Sequence, residues 1–109
     1  MSGRYTIRPK ADRDLEEQAH YLAMNATAQL GHSFLLAAHE TFTLLAAQPH
    51  MGWLARFNRP LISSLRVFSI ARFEKMLVLY QPHPSGVEII RVVHASRNVW
   101  TLFRREVGE

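Results

Sequence analysis

The chain has 109 residues, 48% of them hydrophobic, with thirteen basic against nine acidic side chains for a net charge of +4, and no cysteine. One domain over 1–109 is expected, with enough apolar residues for a packed core; intrinsic disorder, a disulfide framework and thiol catalysis are excluded. The opening MSGRYTIRPKADRDLEE has no apolar signal-peptide core, and the longest apolar runs fall far short of the roughly 20 residues of a membrane helix, so a cytoplasmic protein without membrane contact is expected.

Tyr5-Thr6-Ile7-Arg8 alternates apolar and polar and stops at Pro9, which reads as a short strand. KADRDLEEQAHYLAMNAT follows as a helix. Asp12 or Asp14 can cap or charge its first turn, where the helix dipole favours carboxylates. Leu15, Ala19, Leu22 and Ala26 form one apolar stripe. Asn25 to Thr27 break it, and Thr27 can cap a second helix over 28–47. The stripe there is Leu30, Phe34, Ala38, Phe42 and Leu45, widened by Leu35. Pro49 and Gly52 in QPHMGW end it. So short a connection makes the two helices an antiparallel hairpin, and Gly31 offers a place for close approach. Residues 53–62 read as irregular. Three strands follow at 64–70, 75–82 and 86–94, joined by turns around Phe73–Glu74 and PHPSG. Such short turns make neighbours antiparallel. The last two strands are apolar at nearly every position and should be covered on both faces. SRNVWTLFRREV can close the chain as a short helix capped by Ser96. The fold class is α+β: an N-terminal strand, a helix hairpin on one sheet face, a three-stranded antiparallel meander and a short helical tail.

The charge is unevenly spread. Residues 1–55 hold four basic and five acidic side chains, residues 56–109 nine and four. A basic C-terminal half suits an acidic partner, nucleic acid or protein, or it is simply solvated arginine.

No pattern announces a cofactor. The six histidines are scattered, and His32 and His39 lie about 10 Å apart along one helix. The five glycines build neither a dinucleotide fingerprint nor a P-loop, and no serine has a nucleophile-elbow setting. Arg66, Arg91 and Arg97 remain, with His94 and Trp100 beside them. Simple alternation over 86–94 puts Val87, Ile89, Arg91 and Val93 on one face and Glu88, Ile90, Val92 and His94 on the other. A guanidinium among aliphatics is costly unless paired. Arg91 therefore snorkels to an edge, pairs with a carboxylate from elsewhere such as the helix hairpin, or joins Arg66 and Arg97 on an exposed basic surface. His94 is either a half of that surface or a buried histidine bonded to a backbone carbonyl.

Four segments, in order, resemble the ParE toxins of the RelE/ParE superfamily. YTIRPKADRDLEEQAHYLA resembles their start, and LLAAQPHMGW the end of their second helix. LRVFSIARFEKMLVLYQP resembles their leucine-arginine strand and the aromatic-aliphatic strand that ends in tyrosine. IIRVVHASRN resembles their arginine-valine-x-histidine-x-x-arginine ending. The resemblance implies the toxin of a type II toxin–antitoxin system of the plasmid-stabilisation kind, cytoplasmic, without cofactor, and held in a hetero-oligomer by a ParD-like antitoxin. ParE members poison DNA gyrase and so block replication; RelE members cleave mRNA in the ribosome. The second activity needs a base for the 2′ proton, an acid for the leaving oxygen and cations at the phosphorane. Arg66, His94 and Arg97 are the candidates for that alternative. Lys10 and Lys75 are the only lysines, Tyr80 is the last tyrosine, and the Trp100 indole only donates. The gyrase reading therefore comes first, with no catalytic residue expected. Arg66, Arg91, His94, Arg97 and Trp100 are then target- or partner-binding candidates, and direct nucleic-acid binding stays open.

Overall fold

A computed structural model describes residues 3–54 and 65–96. The elements are β1 (Arg4–Ile7), α1 (Pro9–Asn25), α2 (Ala28–Ala47), β2 (Trp53–Leu54), β3 (Arg66–Ile70), β4 (Phe73–His83) and β5 (Gly86–His94). The strands form one sheet in the order β1-β5-β4-β3-β2. The meander β3-β4-β5 is antiparallel as expected, and β1 pairs in parallel with β5, Arg4 opposite Gly86 and Ile7 opposite Ile89.

Pro9 is the first residue of α1, where its missing N–H costs nothing. Arg8 is the N-cap and no side chain caps this end; Asp12 sits in the first turn, facing the helix dipole, while Asp14 is used elsewhere. The Thr27 hydroxyl accepts the Leu30 N–H at 3.0 Å and caps α2. A Cβ on Gly31 would stand 2.6 Å from the Ala19 carbonyl oxygen, so glycine is what lets α2 cross α1 so closely.

The core lies between this hairpin and one sheet face. Leu15, Phe34, Ala38, Phe42 and Leu45 pack on Ile70, Met76, Val78, Tyr80, Ile89 and Val92. A second set, Val67, Leu79, Ile90 and Val93, is also buried, so both faces of the central strands are covered. Buried Thr41 donates to the Ala37 carbonyl and accepts the Ala71 N–H, tying α2 to the β3–β4 turn.

Three expectations are corrected. The β3–β4 turn is Ala71–Arg72, with Arg72 at φ 68°, and Phe73 and Glu74 already belong to β4. Trp53–Leu54 is not irregular but pairs with Val67 and Arg66 as an edge strand. Alternation along β5 also fails midway. Leu79 faces Arg91 but Tyr80 faces Ile89, a bulge that absorbs Ile90. One extra residue reverses the phase, so Val92 shares the core with Val87 and Ile89 instead of facing away from them. Residues 97–109, with the expected C-terminal helix, lie outside the described residues.

Candidate partner-binding site

The bulge brings Arg91 to the margin of β5, where α1 runs past. Its Nε and Nη2 donate to the two oxygens of Asp14 at 2.8 and 3.1 Å. The same carboxylate accepts the Val92 N–H at 3.0 Å. Both side chains are about one-eighth exposed, 12% and 13%. Arg91 thus pairs with a carboxylate of the helix hairpin. β1 stops at Ile7 because Pro9 turns the chain into α1, and Asp14 takes over at Val92 the edge that β1 has left.

Arg66 lies opposite Tyr80 on the core-side face of β3. Its Nη1 donates to the Gly52 carbonyl at 2.6 Å and the His50 carbonyl at 3.2 Å. The Tyr80 hydroxyl donates to the Pro49 carbonyl and accepts the Gly52 N–H, both at 2.9 Å. Burial pushes the phenol pKa up, against the Gly52 bond and the Arg66 charge, which pull it down. Together these side chains fasten the turn after α2, whose carbonyls have no helical partner.

At the other end of β4, His94 faces Met76 and is half-buried. Its Nδ1 accepts the Ser96 N–H at 3.1 Å and meets the Ser96 hydroxyl at 2.8 Å. In the neutral ring the proton therefore sits on Nε2. This partner is a backbone N–H, not the carbonyl of the buried-histidine alternative. His83 and Ser85 repeat the arrangement in the preceding turn.

The three described candidates, Arg66, Arg91 and His94, do not converge. Tyr80, opposite Arg66, and Met76, opposite His94, are four residues apart on β4, which is roughly 13 Å along a strand. Arg66 on β3 and His94 on β5 are therefore well separated on the sheet, and Arg97 and Trp100 fall outside the described residues. Sequence reasoning passed over Tyr80 as the fastener of the α2 turn; its hydroxyl at the end of an apolar strand was the available signal. It also missed Glu88, whose carboxylate receives Arg8 at 3.0 Å and Gln81 at 3.0 Å. The Arg8 bond is the first cause holding its pKa below the ordinary value, with Gln81 and nearby charge helping against desolvation.

Large apolar side chains are also exposed. Tyr21 and Met24 on α1 are 58% and 71% exposed, and Trp53 on the edge strand 56%. Tyr21 borders a pocket of about 230 Å³ whose other walls include Asp14, Glu17, Gln18, Met76 and His94.

A family model described as the ParE toxin of the type II toxin–antitoxin system parDE matches residues 5–99. No curated protein matches the chain. Among solved structures, one of the chromosomal ParDE toxin–antitoxin system from P. aeruginosa is similar at a TM-score of 0.68, covering 85% of this chain and 96% of that one. The two are 13% identical, and the likeness is one of fold.

Proposed function

The chain belongs to the ParE toxin family of type II toxin–antitoxin systems, and from that premise we propose that it acts in the cytoplasm as an inhibitor of DNA gyrase, neutralised by a small ParD-like antitoxin. Inhibition by binding needs no catalytic group. The observation that carries the choice over mRNA cleavage is the separation of Arg66 on β3 from His94 on β5, whose partners on β4 are four residues apart. Acid, base and cation must surround one phosphate to cleave RNA. Tyr80 does not replace the missing acid, because its hydroxyl is buried and already bonded in both directions. The exposed Tyr21, Met24 and Trp53 offer apolar anchors for an amphipathic antitoxin segment, with which the toxin forms a hetero-oligomer.

Expression without antitoxin should stop DNA synthesis and produce filaments, and the purified protein should inhibit supercoiling by gyrase or trap cleaved DNA. Rapid mRNA cleavage in translating ribosomes, with gyrase untouched, refutes the proposal. Arg97→Ala tests the contact surface outside the described residues: loss of toxicity with an unchanged unfolding temperature supports a role in gripping the target.

A further inference from the structure

β5 is bracketed by one turn used twice. Before it, His83 Nδ1 accepts the Ser85 N–H at 3.2 Å and meets the Ser85 hydroxyl at 3.0 Å. After it, His94 and Ser96 repeat the two contacts at 3.1 and 2.8 Å. The chain has six histidines, and among the described residues only these two accept a main-chain N–H. The pattern is that of an Asx turn, in which a side-chain acceptor takes the N–H two residues on. Asparagine accepts at any pH. An imidazole accepts only while neutral, because both nitrogens of the imidazolium are donors. Each turn also holds a neighbour. The Ser85 carbonyl accepts the Arg4 N–H at 2.8 Å, tying the first residue of β1 to the turn before β5. Within the turn after β5, the Ala95 N–H bonds the Lys75 carbonyl of β4 at 2.7 Å.

We propose that His83 and His94 form a paired, proton-sensitive latch on β5. While the rings are neutral, each Nδ1 holds a serine N–H and the turn is closed. When Nδ1 takes up a proton, that N–H faces a second donor. The serine hydroxyl can rotate to accept from Nδ1, but the main-chain N–H cannot reverse. The turn before β5 then loosens, and with it the attachment of Arg4; the turn after β5 loosens at Ser96. The groups around the rings suit such a change. Asp14, Glu17 and Tyr21 of α1 line one pocket with His94, Asp14 being bound by Arg91, and β4 brings Met76 opposite the ring with Lys75 beside it. His83 acts on the charge of Glu88, which also binds Arg8 of β1 and Gln81 of β4, and β1 places Arg4 opposite Gly86. Carboxylates therefore stand by both rings as counter-charges for the imidazolium. The inference is independent of the gyrase and antitoxin readings, since it rests on the two turns alone.

The test is an NMR titration of the 15N-labelled protein from about pH 8 down to about pH 5.5, which spans the histidine range. Long-range 1H–15N correlation should show the Nε2–H tautomer at both rings at the upper end. As the rings take up protons, the Ser85, Ser96 and Arg4 amide protons should move upfield in step with them, as amides losing an acceptor do. His83→Asn and His94→Asn keep an acceptor that does not titrate in this range. The Ser85 and Arg4 amides should stay in place in the first variant, and the Ser96 amide in the second. Neutral rings that carry their proton on Nδ1 would overturn the proposal. So would serine amides that stay fixed while the rings titrate, or an Arg4 amide indifferent to His83. Amides that move as far in the asparagine variants as in the native protein would overturn it too.

Discussion

Asp14→Ala should be among the most damaging single changes at the margin of the sheet. The substitution removes two charge-assisted bonds to Arg91 and one bond to the Val92 N–H. It leaves a guanidinium only 12% exposed without its carboxylate. Removing one partner of a buried pair costs about 3–5 kcal/mol; because both groups keep some water, the lower end, about 3 kcal/mol, applies. For a domain of this size 1 kcal/mol moves the unfolding temperature by roughly 4 °C, so a fall of about 12 °C is expected. Asp14→Asn keeps an acceptor for Val92 and should cost about 1–2 kcal/mol. Arg91→Met replaces the cation with an apolar chain of similar length. Once Asp14 is alanine, that second change should add little or restore stability. Urea unfolding of the two single variants and the double variant gives the coupling energy, expected at about 1–3 kcal/mol. Additive losses, or a loss below about 0.5 kcal/mol for Asp14→Ala, would refute the reasoning, because the pair would then behave as an exposed one.

Tyr80→Phe leaves the Gly52 N–H and the Pro49 carbonyl unanswered and should cost about 1–3 kcal/mol in chemical denaturation, with the fold retained by circular dichroism. Gly31→Ala should destabilise despite alanine's helix advantage of about 1 kcal/mol, because the new methyl meets the Ala19 carbonyl at 2.6 Å; a rise in unfolding temperature would contradict this. Glu88 has a folded pKa below its ordinary value of 4.5, so its contribution is present above that value and lost as pH falls through the folded pKa. The stability difference between the native protein and Glu88→Gln should therefore shrink as pH is lowered from about 6 towards about 3; a difference that grows would reverse the sign.

The helices were legible because each has one continuous apolar stripe, and Thr27 and Pro49 punctuate their ends. The meander was legible because strand runs and turns alternate at short range. Two features were not. The bulge in β5 arises from pairing with β4, and nothing in GVEIIRVVH marks Ile90 as the extra residue. The turn at Ala71–Arg72 was placed two residues late, because Arg72 adopts a left-handed conformation that the sequence signals with neither glycine nor asparagine. For the site, the carboxylate facing Arg91 was foreseen as a class and a location. Asp14 was instead read as a cap, since a carboxylate near a helix start has a local use that hides a distant one. The parallel pairing of β1 was also beyond reach, because it depends on where the helix hairpin returns the chain.

That parallel pairing joins segments far apart in the chain. Arg8 meets Glu88 across 80 positions and Asp14 meets Arg91 across 77. During synthesis the hairpin emerges early with an apolar face and no sheet to cover it. The strand that aligns β1 and anchors α1 arrives only from residue 86 onward. Loop closure over such a span precedes the contacts that reward it. A fragment that stops before residue 86 lacks β5 and cannot assemble this architecture, so β1 and the hairpin wait uncovered for a strand made long after them.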